Sequence, residues 1–204
     1  MGHIGILGGT FNPPHMGHLV MAQEALDQLD LERVVFLPVA VPPHKEARED
    51  PGPDARVALC RVAVAGDERF GVSTLEVDRG GASFTVDTLR ELDAEDQKLT
   101  FIVGGDMAQS LPAWREPEAV LALARLAVAE REGVRRDDVA RRLEPLHGGD
   151  RVTFFDMPRI DVSSSDVRRR VAEGRPIRYL VPDAVAEAIA EGNLYRTAAG
   201  RPAA

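Results

Sequence analysis

Gly8-Gly9-Thr10-Phe11-Asn12-Pro13-Pro14-His15-Met16-Gly17-His18 decides how the chain is read. The stretch follows Ile4-Gly5-Ile6-Leu7, a short apolar run that reads as a buried first strand. Gly8 and Gly9 are expected to let the backbone turn sharply and lie close to a ligand. Pro13 and Pro14 are expected in the first turn of a helix, where no amide partner is missed. That helix continues through Leu19, Ala22, Leu26 and Leu29 at helical spacing. His15 and His18 lie three apart at its start, so both imidazoles share one face. A helix N-terminus adds unpartnered amides and partial positive charge. Together these make an anion site with two imidazole donors, suited to a phosphate. The spacing is neither the phosphate loop that ends in Gly-Lys-Ser/Thr nor the G-x-G-x-x-G fingerprint.

Working outward, strand and helix patterns alternate. Arg33 to Val41 reads as a second buried strand, followed by a polar, proline-rich loop to Pro53. Asp54 is expected to cap a helix running to Ala65. Phe70-Gly71-Val72-Ser73 and Leu75-Glu76-Val77 read as strand pieces, and Ser83 or Thr85 opens a helix. Leu99 to Val103 is a buried strand ending in Gly104-Gly105-Asp106. Leu126 to Ala129 and Val152 to Phe155 read as further strands, and Glu118 to Leu123 as a helix. Glu130 to Arg142 reads as a solvated loop and helix. Ser163-Ser164-Ser165 opens a helix to Ala172, where hydroxyls and amides again make an anion cradle. Asp183 to Glu191 is the last clear helix.

This order predicts an α/β fold: a Rossmann-like, doubly wound parallel sheet with a small C-terminal helical portion. Ligands of such sheets sit at the strand C-termini, at the switch point. The residues of interest all fall just after strands. Residues 1–196 are expected to form a single domain, with 197–204 a frayed tail.

Composition narrows the class. The chain has 204 residues, 44% hydrophobic and 28% charged, enough for one core and a polar surface. No apolar run approaches a membrane span, and no signal peptide is visible at the N-terminus. Cys60 is the only cysteine, set in an apolar helical pattern that makes it core rather than nucleophile. A cytoplasmic home is expected. The net charge of −8 argues against broad nucleic-acid binding but not against a nucleotide site.

Gly9-Thr10-Phe11-Asn12-Pro13-Pro14-His15-Met16-Gly17-His18 resembles the G-x-F-x-P-x-H-x-G-H signature of the nucleotidyltransferase superfamily. Three later segments make nearly the whole chain similar to bacterial nicotinate-nucleotide adenylyltransferases. Ser83-Phe84-Thr85-Val86-Asp87-Thr88-Leu89 resembles their S-Y-T-x-D-T-L, with Phe84 for tyrosine. Gly104-Gly105-Asp106 with Trp114 resembles their strand-Gly-x-Asp followed by Trp. Ser163-Ser164-Ser165-Asp166-Val167-Arg168, after Val162, resembles their I-S-S-T-x-I-R, with Val162 and Val167 as aliphatic replacements and Ser165 for threonine.

The resemblance implies adenylyl transfer from ATP to nicotinate mononucleotide, giving nicotinate adenine dinucleotide and pyrophosphate. His15 and His18 are then the catalytic pair. ATP is expected at Gly8, Gly9, Thr10, both histidines, Gly104, Asp106, Ser163, Ser164, Ser165 and Arg168. The mononucleotide is expected at Thr10, Phe11, Lys45, Thr85, Asp106 and Trp114, whose indole would stack on the pyridine ring. Against these stand plainer readings: Lys45 as a solvated charge, Trp114 as core, Ser163 as an ordinary cap. Mg²⁺ is expected to arrive with ATP, held largely by substrate and water rather than by a protein cage. Neither nucleic acid nor membrane is expected as a partner, and oligomeric state is not readable. The alternatives are a nicotinamide-mononucleotide or phosphopantetheine adenylyltransferase and a non-catalytic nucleotide-binding module.

Overall fold

The computed structural model describes residues 2–41, 49–93, 97–130 and 136–196. Strand β1 (His3–Gly9) leads to helix α1 (Met16–Gln28), then β2 (Arg33–Pro38), α2 (Pro53–Val64) and β3 (Phe70–Val72). Two helices follow, α3 (Leu75–Arg79) and α4 (Thr85–Asp93). Then come β4 (Lys98–Gly104), α5 (Gly105–Ser110), a 3₁₀ turn at Leu111–Ala113, α6 (Pro117–Leu123) and β5 (Arg125–Glu130). The remaining elements are α7 (Arg136–Leu143), β6 (Val152–Asp156), α8 (Ser164–Ala172) and α9 (Asp183–Glu191). The six strands form one parallel sheet in the order β3-β2-β1-β4-β5-β6.

Alternation along the strands divides the core. In β4, Leu99, Phe101 and Val103 face one side, against α4, α6 and α7. Ile102 faces the other, with Phe36 of β2 and Met21, Ala22 and Ala25 of α1. Both faces are therefore covered, as a parallel sheet requires. A third cluster joins Leu59 of α2, Val167 of α8, and Val185 and Ile189 of α9. This is the small helical portion expected from the sequence.

Several local expectations are corrected. Gly8 and Gly9 do not turn; they are the last residues of β1. Their lack of side chain serves packing instead, since a Cβ on Gly8 would meet the Phe101 ring at 2.9 Å and one on Gly9 the Phe11 ring at 3.1 Å. The turn comes later, at Phe11 with φ 49° and a cis Asn12–Pro13 peptide. Pro13 and Pro14 precede the helix rather than opening it, because His15 is the N-cap. Leu75-Glu76-Val77 is not strand but the start of α3, whose one amphipathic turn buries Glu76 against Thr88. Three alternating residues fit either period, and the tertiary contact decides. The second strand stops at Pro38, not Val41. Helix α2 is capped at Gly52, with Pro53 first, so Asp54 lies within its first turn. Helix α5, directly after Gly104, was not expected at all. The supposed tail 197–204 lies outside the described residues.

Candidate active site

The site lies where β1 and β4 send their following helices to opposite faces of the sheet, the switch point of this topology. His15 caps α1, and His18 stands in its first turn. Their rings stack with centroids 3.8 Å apart and planes 29° apart. Gly17 makes this possible: a Cβ there would come within 3.1 Å of Cε1 and Nδ1 of His15. The His15 backbone N–H donates to Nδ1 of His18 at 3.2 Å. A neutral His18 therefore carries its proton on Nε2, the nitrogen not used by the backbone. Phe11, fully buried, sets its ring edge-on to His18 at 5.0 Å.

The start of α8, distant in sequence, docks on this loop. Ser163 caps α8 by accepting the Asp166 N–H. The Ser164 hydroxyl donates to the Pro13 carbonyl at 2.8 Å, and Arg168 Nη1 donates to the Asn12 carbonyl at 2.7 Å. Arg168 also meets Glu49 Oε2 at 3.2 Å and the Ser165 hydroxyl at 3.3 Å. The two helix tips are thus neighbours, and several of their first-turn amides are already committed: Met16 N–H donates to the Leu180 carbonyl and His18 N–H to the His15 carbonyl, both at 2.9 Å, and Asp166 N–H to the Ser163 hydroxyl at 3.1 Å.

The remaining expected residues, Lys45 aside, stand at the end of β4, at the starts of α4 and α5, and just after the 3₁₀ turn. Gly104 caps α5 at the end of β4; an added Cβ there would touch only the Met21 methyl, at 3.8 Å, so the chain's own packing does not demand a glycine. Asp106 is exposed in the first turn of α5. Thr85 starts α4, beyond Ser83, whose hydroxyl accepts the Ala40 N–H at 2.9 Å. Trp114 is half-buried, edge-on to Phe101 at 6.1 Å, with its Nε1 donating to Ser110. One edge of the indole is thus committed to the protein. Arg115 lies over the Phe84 ring at 4.9 Å and pairs with Asp87 at 3.1 Å. Lys45, with His44, lies outside the described residues. Among the described residues no group of three or more His, Cys, Asp or Glu side chains is placed to hold a metal ion.

Sequence reasoning missed Arg56. Its guanidinium is fully buried and donates to the carbonyls of Thr10 at 3.1 Å, Val39 at 2.7 Å and Ala40 at 2.9 Å, and to Asp50 at 3.0 Å. One side chain thus ties the ends of β1 and β2 to the loop before α2. The signal was present, because Arg56 shares a helix face with Leu59 and Cys60. Asn12 and Tyr195 were missed as well. Burial pushes the Cys60 thiol up to about 12, with Arg56 working against that shift, which leaves it a core residue.

A family model described as cytidylyltransferase-like matches residues 6–170, which sets the class as a nucleotidyltransferase. A relative from Halalkalibacterium halodurans, named "probable nicotinate-nucleotide adenylyltransferase", is 42% identical over 97% of this chain and 93% of its own. One of the same name from Thermomicrobium roseum is 43% identical over the same shares. The chain belongs to this family, the nicotinate-nucleotide adenylyltransferases. The fold is also that of Plasmodium falciparum nicotinic acid mononucleotide adenylyltransferase complexed with APC, with a TM-score of 0.78 at 16% identity over 96% of this chain and 98% of that one.

Proposed function

We propose that His15 and His18, at the tip of α1, and Arg168, at the tip of α8, carry the family reaction in this chain. That reaction transfers the adenylyl group of ATP to nicotinate mononucleotide. A phosphate oxygen of the mononucleotide attacks the α-phosphorus in line; the bond to the β-phosphate oxygen breaks and pyrophosphate leaves. No protein nucleophile is required, so the chain's work is positioning and charge stabilisation. The observation that carries this reading is the docking of the two helix tips, with stacked imidazoles at their junction.

His18 would donate from Nε2 to the transferring phosphate, its other nitrogen being held by the His15 N–H. His15, buried beside it, would supply the second donor. Arg168 would exchange Glu49 for a flanking phosphate, a better bidentate partner for its fork. Gly104 would leave room for the nucleoside, Asp106 would accept from ribose hydroxyls, and the exposed part of Trp114 would face the pyridine ring with Thr85. Lys45, which follows β2 in the sequence, would hold phosphate. Nucleotidyl transfer of this kind uses a divalent cation; here Mg²⁺ would enter with ATP and supply Lewis-acid charge.

Residues 1–196 would act as one domain. No helix among the described residues is long and apolar enough to cross a membrane, and with Cys60 as a free, buried thiol we place the chain in the cytoplasm. Release of pyrophosphate from MgATP, measured in turn with nicotinate mononucleotide, its amide and phosphopantetheine, tests the reading. Turnover is expected with the acid. Turnover only with the amide or phosphopantetheine, or with none, overturns it.

A further inference from the structure

The last described turn of the chain returns to the histidine loop. Beyond α9, Asn193 and Tyr195 both adopt left-handed backbone, with φ of 49° and 61°. Residues other than glycine rarely hold that conformation, and two so close together need support from their surroundings. Here the support is visible. Leu194 and Tyr195 pack against the cluster of Leu59, Val167, Val185 and Ile189. The Tyr195 hydroxyl then donates to Oδ1 of Asn12 at 2.7 Å.

Asn12 is 3% exposed, and both ends of its side-chain amide and its backbone carbonyl are hydrogen-bonded. Its Nδ2 donates to the Glu49 carbonyl at 3.3 Å, and its own carbonyl accepts from Arg168 at 2.7 Å. The Glu49 carbonyl, which can only accept, fixes the Asn12 Nδ2 towards itself and so leaves Oδ1 to receive the phenol's proton. Turning the amide over would set Oδ1 against the Glu49 carbonyl, acceptor against acceptor, and leave that carbonyl unmatched. Three distant segments thus converge on the residue three before His15.

We infer that Tyr195 is a positioning residue for adenylyl transfer: through Asn12 it holds the backbone between Phe11 and His15, and with it the stacked imidazoles. The inference rests on the function proposed above. Burial pushes the phenol's ionisation well up, so it remains a donor throughout the working pH range.

Tyr195→Phe keeps the ring and its packing and removes only the hydroxyl. In the full chain without substrate, amide hydrogen exchange over residues 10–18 is expected to speed up by roughly tenfold. With MgATP and nicotinate mononucleotide, kcat is expected to fall by about tenfold with KM nearly unchanged, since no charged ligand contact is lost. Asn12→Leu should show the same loss, and the double variant should be no worse than either alone. Unchanged exchange over residues 10–18 overturns the inference whatever the activity. So does faster exchange with wild-type kcat, which would make the hydroxyl merely structural. A wild-type enzyme that releases no pyrophosphate counts against the adenylyl-transfer reading instead, and the exchange result still decides whether Tyr195 orders the loop.

Discussion

Gly17 is the residue that lets two imidazoles share one helix tip. Replacing it by alanine would favour the helix by up to about 1 kcal/mol. The added methyl would also meet the His15 ring at 3.1 Å and displace it. Gly17→Ala is therefore expected to melt no lower than wild type while losing at least about tenfold in kcat, because a small misplacement is costly where geometry does the work. Wild-type turnover would show that the stack is incidental. If His18 is the donor proposed above, His18→Ala is expected to lose about 10²–10³ in kcat with the fold retained. A near-normal rate would take His18 out of the chemistry. His3 offers a pH signature away from the site. Burial, with Arg125 and Lys98 nearby, lowers its pKa below 6.5, and its Nε2 lies 2.8 Å from the Thr100 hydroxyl. The unfolded chain then takes up the proton first, so the His3 contribution is fully present above pH 6.5 and is lost as pH falls from there through the lower folded-state value. His3→Gln should flatten this part of the Tm-against-pH curve; an unaltered curve would show that His3 is not the titrating group. The histidines were legible because their spacing carries chemistry by itself. Asn12, Arg56 and Tyr195 were not, because their meaning lies in partners that only the fold supplies.

At the scale of elements, α8 does two jobs at one end: it is capped by Ser163, and it presses Ser164 and Arg168 onto the loop before α1. Ser163→Ala should cost about 1 kcal/mol through loss of the cap. The effect should appear in thermal unfolding and as weaker use of ATP, because a fraying tip no longer holds Arg168 in place. A stability change with no change in KM for ATP would separate the cap from the site. The start of α8 was readable from Ser-Ser-Ser-Asp ahead of an apolar stripe. Helix α3 was not, since Leu75, Glu76 and Val77 suit strand or helix until Glu76 meets Thr88. The twin glycines of β1 were read as a turn because that is their common use; here Phe101 and Phe11 leave no space for a side chain.

For the molecule as a whole, Arg56 is the cross-brace. Its removal would strand three carbonyls and one carboxylate at the top of the sheet. Arg56→Met should cost on the order of 3–5 kcal/mol, as breaking a buried charged network does. Denaturant unfolding would register it, and a loss below about 1 kcal/mol would show that water or a neighbour fills the role. The architecture was largely legible, because buried apolar runs such as Leu99–Val103 alternate with helical stripes, and that alternation admits few arrangements other than a covered parallel sheet. The centre of the sheet follows the same logic but has a temporal side. β1 precedes the other five strands in sequence, yet one of its two neighbours in the sheet, β4, is synthesised far downstream. Such remote pairing is slow to form and leaves strand edges open in the meantime. One edge of β1 can pair early with β2, while the other stays open until β4 has been made. Ser164 and Tyr195 follow all six strands in the sequence, so the contacts that hold the histidine loop can form only after the whole sheet has been synthesised.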